Sequence, residues 1–154
     1  MRITDYLSED LVIAGIPSCS KPEALGAMVD HLISAGKLSA DRREILLSKL
    51  MERESLASTG IGGGVAIPHA SGENVDNMIL AVGQSPNGVE FDSIDGHPAK
   101  VIFLIVGSER APRMHLQMLA MIVKICKSQD MIKAVAEAQA PSEIFGILSG
   151  TDNR

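Results

Sequence analysis

Two six-residue apolar runs, residues 101–106 and 118–123, set the frame for what this chain can fold into. Val101-Ile102-Phe103-Leu104-Ile105-Val106 suits a buried strand, and Met118-Leu119-Ala120-Met121-Ile122-Val123 suits a buried helix. Neither approaches the roughly 18 to 20 apolar residues that a membrane span requires, so no direct membrane insertion is expected. Hydrophobic residues are 45% of the 154, enough for one core without a disulfide or metal staple. Residues 1–154 are therefore read as a single domain. The first residues soon meet Ser8-Glu9-Asp10 and show no apolar signal-peptide core, so a soluble cytoplasmic protein is expected.

The remaining segments supply helices around strands. Residues 11–14 read as a first strand. Ser20 as N-cap, Glu23 three residues on and Pro22 in the first turn announce a helix with Leu25, Met28, Val29, Leu32 and Ile33 inward, stopped at Gly36. A second helix is predicted over 40–54 with Ile45, Leu46 and Leu50 inward. Residues 55–64 form a loop into a short strand, Val65-Ala66-Ile67, that stops at Pro68-His69. Strands are expected at 78–82 and 100–106, with turns at Pro86-Asn87-Gly88 and Asp95-Gly96 between them. Helices are expected from Pro112 to about 127, then near 130–138 and 141–148. This alternation favours an α/β sandwich with a mixed sheet over a purely parallel one.

The charge balance excludes some functions. Fourteen basic and 19 acidic side chains give a net charge of −5, and aromatics are only 3% with no Trp. A nucleic-acid partner needs a basic stripe and stacking platforms, so none is expected. Cys19 and Cys126 form no CxxC pair, and Cys126 falls in an apolar helical pattern as a small buried residue. His69 and His115 could suggest a metal, but no HxxxH or cysteine partner completes a site, and no metal or cofactor is expected.

The informative segment is Glu54 to Ala70. Gly60, Gly62, Gly63 and Gly64 suggest backbone N–H groups brought close to an anion. Nucleotide-binding readings fail on context, because here the glycines lead from a helix into a strand rather than from a strand into a helix. His69 follows a proline among small residues, close in sequence to the glycine loop, to the Ser58 and Thr59 hydroxyls and to Arg53 at the end of the preceding helix.

Glu54, six residues, Ile61-Gly62, two residues, then Val65-Ala66-Ile67-Pro68-His69-Ala70 resembles the phosphohistidine signature of type 2 enzyme IIA domains, the fructose–mannitol class of the phosphoenolpyruvate-dependent phosphotransferase system (PTS). Every fixed position of the pattern is satisfied. The resemblance extends over nearly the whole chain, with Met114-His115-Leu116-Gln117-Met118-Leu119 at the expected later place. The wording Ser58-Thr59-Gly60-Ile61-Gly62 is most similar to the single-domain nitrogen-regulatory branch.

The resemblance implies a three-layer α/β/α sandwich around a small mixed sheet. It implies a phosphotransferase component in which His69 accepts a phosphoryl group from the phosphocarrier protein HPr or its paralogue. The group then passes to a IIB domain, in sugar transport, or serves as a regulatory mark read by target proteins, as in nitrogen regulation. His115 is implied as a supporting residue beside the acceptor and Arg53 as electrostatic support, with Ser58, Thr59, Gly60, Gly62 and Gly63 candidates for phosphate binding. The absence of fused IIB or IIC segments leans the expectation towards regulation. Many family members carry a basic residue after the histidine; here Ser71-Gly72-Glu73 follows Ala70, which leaves less positive charge at the rim. The rival reading is a regulatory binding module that keeps the fold but transfers nothing. A serine hydrolase using His69 lacks a G-x-S-x-G elbow.

Overall fold

A computed structural model describes residues 1–73 and 75–153. The strands are β1 (Val12–Ile13), β2 (Gly60–Gly62), β3 (Val65–Ala66), β4 (His69–Gly72), β5 (Ile79–Val89) and β6 (Ala99–Ser108). The helices are α1 (Lys21–Ser34), α2 (Arg43–Leu56), α3 (Pro112–Ile125), α4 (Gln129–Glu137) and α5 (Pro141–Ser149). The sheet runs β1-β5-β6-β3-β2, and β4 continues along β6 beyond β3. β1 is parallel to β5, and β3 and β4 are parallel to β6, whereas the β5–β6 and β2–β3 pairs are antiparallel. The sheet is mixed, as expected.

Successive residues of a strand face opposite sides, and β5 shows which helices lie where. A Cβ on Gly83 would meet Met28 of α1 at 3.0 Å. Its neighbour Gln84 donates instead to the carbonyls of Val135 and Ala138 at the end of α4, at 3.0 and 2.6 Å. The α1 and α4 helices therefore cover opposite faces. With both faces covered, the 101–106 run of β6 is fully buried, the condition under which a strand can be apolar at every position.

Ser20 caps α1 in a full capping box with Glu23, and Gly36 adopts φ 75° just past its end. Three expectations are corrected. Ile45 is half exposed, because Leu46 and Leu50, four residues apart, define the buried stripe of α2 and Ile45 falls off it. Pro86-Asn87-Gly88 is not a turn: β5 runs on to Val89, and its register against β6 shifts between Gln84 and Val89 to absorb the proline. The 55–64 loop contains β2, which pairs with β3 through an irregular register. Cys126 is buried, and burial pushes its thiol pKa up to about 12. Among the described residues no helix is long and apolar enough to cross a membrane.

Candidate active site

The strand that was expected to stop at Pro68-His69 restarts there. Proline lacks an N–H, so the ladder along β6 is interrupted after β3, and β4 resumes it with His69 opposite Ile105. The Pro68 carbonyl stays in use, accepting from Ile105 N at 3.0 Å. His69 is partly buried, and its Nδ1 lies 2.8 Å from the Ile67 carbonyl oxygen. A carbonyl only accepts, so Nδ1 carries the proton and Nε2 keeps the lone pair.

The register brings the second histidine to the same face. Ile105 stands opposite His69 and Gly107 opposite Ser71, so these four residues share one side of the sheet. His115, in the first turn of α3, lies against Gly107, where any Cβ would overlap its Nδ1. The two imidazoles meet edge to face, with centroids 5.4 Å apart and planes at 62°. His115 Nδ1 is buried without a hydrogen-bond partner among the described residues. Burial, and secondarily the nearby His69, lower the His115 pKa, so the ring is neutral at pH 7.

In the expected phosphate cradle, several donors already have partners within the protein. Thr59 N and Oγ1 donate to the two oxygens of Glu54, at 3.1 and 2.5 Å. Gly60 N donates to Ser58 Oγ at 3.0 Å, and Ser58 Oγ itself donates to the Phe91 carbonyl. Gly63 N donates to Asp95 Oδ2 at 3.0 Å, and a Cβ on Gly62 would stand 3.2 Å from the same carboxylate oxygen. Gly62, Gly63 and Gly64 all have positive φ, which makes them a tight turn. That turn sits at the start of β6, where Val101 N donates to the Gly64 carbonyl, while His69 pairs with Ile105. Four residues of strand separate the two places, roughly 13 Å. The N–H groups of Thr59, Gly60 and Gly63 are thus already used, partly by carboxylates, and the glycine turn lies away from the histidines.

Arg53 stands in the last turn of α2, where Nη1 donates to the Ala57 carbonyl at 2.7 Å. Among the described residues that bond goes to the helix end, not to either histidine. At the rim, Lys49 reaches from α2 to the Ser71 carbonyl (3.0 Å) and to Glu109 (3.2 Å), so a cation stands near β4 although none follows Ala70 in the sequence. His31 and His97 lie elsewhere. His31 Nε2 bonds the Asp10 carbonyl at 2.6 Å, and the backbone of His97 bonds Asp95.

Sequence reasoning missed Gly107, Lys21 and any work for Glu54. Only Glu54 carried a signal, as the fixed first position of the motif.

The family model described as "Phosphoenolpyruvate-dependent sugar phosphotransferase system, EIIA 2" matches residues 5–150. The chain belongs to that family. It is 36% identical over 152 residues to a fructose-specific EIIABC component of Bacillus subtilis, covering 99% of this chain but 24% of that protein. It is 31% identical to a fructose-specific EIIA component of Haloferax volcanii, over 91% of this chain and 90% of that one. A crystal structure of the nitrogen regulatory protein IIA-Ntr from Neisseria meningitidis superposes with a TM-score of 0.84 at 27% identity, covering 95% of this chain and 98% of that one. The Escherichia coli mannitol IIA in complex with phosphorylated IIB shares the fold, with a TM-score of 0.75 at 19% identity, over 94% of this chain and 97% of that one. This IIA domain is thus similar to sugar-specific and to nitrogen-regulatory members alike.

Proposed function

We propose that this IIA domain is a phosphoryl carrier whose acceptor atom is Nε2 of His69. The observation that carries the reading is the hydrogen bond from His69 Nδ1 to the Ile67 carbonyl, which leaves Nε2 as the free nucleophile. In the transfer, the Nε2 lone pair forms a new N–P bond as the N–P bond of a phosphohistidine donor breaks. The electron pair of the broken bond returns to the donor imidazole. The Nδ1 proton stays on His69, and the Ile67 carbonyl meets the positive charge that the ring gains. Nothing else needs to be made or broken, so the site's work is positioning and charge stabilisation.

His115 is the stabilising neighbour. Its buried Nδ1 is best left as an unprotonated lone pair, which puts the proton on Nε2 and makes that edge a donor for phosphoryl oxygens. The N-terminal turn of α3 adds a partial positive charge. Arg53 contributes longer-range charge from the end of α2. The donor is a phosphohistidine carrier such as HPr. The recipient is a IIB domain or, in a regulatory member, a target protein that reads the phosphorylated state. The similarity to fructose-specific components supports the first recipient, and the similarity to nitrogen regulatory proteins supports the second.

Incubation with phosphoenolpyruvate, enzyme I and HPr, followed by intact-mass measurement, tests the reading. One acid-labile phosphoryl group is expected on the wild type and none on His69→Ala. The same gain on the variant would overturn the assignment, and no gain on the wild type would leave the binding-module reading.

A further inference from the structure

Lys21 and Glu54 are buried charges, at 9% and 7% exposure, and the proposed phosphoryl transfer uses neither directly. Burying an ion pair is unfavourable unless each charge keeps partners, and here both do. Lys21 Nζ lies 3.0 Å from Glu54 Oε1 and 3.6 Å from Asp92 Oδ2, and 5.0 Å from the centre of the Phe91 ring. Glu54 also accepts twice from one residue, Thr59, at both its N–H and its hydroxyl.

From Thr59 the order passes along the backbone to the acceptor histidine. The Thr59 carbonyl accepts from Ile67 N at 3.0 Å, and the Ile67 carbonyl accepts from His69 Nδ1 at 2.8 Å. Ile67 precedes Pro68, so its own dihedrals are confined to the extended region. Fixing the direction of its N–H therefore fixes the direction of its carbonyl. The opposite side of the β2 segment is pinned as well, since Ile94 N donates to the Gly60 carbonyl at 3.0 Å and Ser58 Oγ to the Phe91 carbonyl.

We propose that Lys21 and Glu54 are positioning residues for phosphoryl transfer: through Thr59 and Ile67, the buried ion pair holds the proton of His69 on Nδ1 and so keeps Nε2 the nucleophile. This rests on the carrier reading above. An apolar pair of similar volume could fill the same space between α1, α2 and the loop. It could not hold the N–H and the hydroxyl of Thr59 together.

The double variant Lys21→Met/Glu54→Leu separates the two roles, because it removes both charges at once and strands neither. Imidazole 15N shifts of His69 at pH 8 report the tautomer, and single-turnover transfer from phosphorylated HPr and from phosphoramidate reports the nucleophile. The double variant is expected to fold, to show a mixture of Nδ1–H and Nε2–H tautomers, and to accept from both donors at least tenfold more slowly. A folded double variant with the wild-type tautomer and wild-type rates would overturn the proposal and leave the pair a packing device. Should the double variant fail to fold, Thr59→Val removes only the hydroxyl anchor. A shifted tautomer population there supports the relay, and a wild-type spectrum overturns it. The tautomer measurement needs no phosphoryl donor, so a wild type that accepts no phosphoryl group would refute the carrier reading without touching this arm.

Discussion

Replacing His115 with alanine should slow transfer strongly while hardly changing stability. The ring offers one hydrogen-bond donor beside His69, at a centroid separation of 5.4 Å. Loss of one preorganised donor to developing charge costs about 2 to 4 kcal/mol of transition-state stabilisation, a roughly 30- to 900-fold slower step. On the stability side two effects oppose each other. Truncation removes a partly buried ring that packs on Gly107, but it also removes a buried Nδ1 that has no hydrogen-bond partner among the described residues. An unsatisfied buried polar atom costs about 1 to 3 kcal/mol, which offsets much of the lost packing. Rapid-quench single-turnover transfer from phosphorylated HPr gives the first quantity and urea melts give the second. A variant that transfers at the wild-type rate, or one whose rate loss is matched by several kcal/mol of lost stability, would make His115 a core histidine with no part in transfer.

Other outcomes follow from the same geometry. Phosphorylation should raise the His115 pKa, because a dianionic group beside the ring favours its charged form; histidine 15N titrations before and after phosphorylation check this. Because the folded-state pKa of His115 is lowered, its contribution to stability should be complete above pH 6.5 and be lost as pH falls from there through the folded value. His115→Ala should flatten that part of a plot of denaturation midpoint against pH. A second acid loss belongs to Asp95, whose pKa is lowered first by the Gly63 N–H and then by the His97 N–H; it should appear below pH 3.8 and disappear in Asp95→Asn. Leu116→Asp, at a side chain 67% exposed beside His115, should slow transfer from phosphorylated HPr but not from phosphoramidate. No loss with either donor would place the docking surface elsewhere, and equal loss with both would mean that the substitution had disturbed the site itself.

The helices were legible because their signals are local. The Ser20–Glu23 capping box, the glycine after α1 and Pro112 at the start of α3 each act within a turn or two of chain. The errors lie where a distant partner decides. β2 and β4 are short and glycine-rich, and they are strands because β3 and β6 offer them free ladder positions. The proline in β5 looked like a turn because nothing local shows that a neighbouring strand will shift register around it. At the site, His69 and His115 were both legible from a motif, yet their meeting depends on the parity of β6 and on a missing side chain at Gly107. The partners of the glycine cluster were hidden for a related reason. Its N–H groups invite an anion, and Asp95, distant in sequence, supplies one. Lys21 and Glu54 are 33 residues apart, and nothing in the spacing of either announces the other.

The central claim is that Nε2 of His69 takes the phosphoryl group. Two-dimensional 1H–15N correlation of the uniformly 15N-labelled phosphorylated protein tests it most directly, since phosphorus coupling marks the substituted nitrogen. Coupling is expected at Nε2 of His69, with the Nδ1 proton retained and slowed in exchange by the Ile67 carbonyl. Coupling at Nδ1, or on the ring of His115, would contradict it.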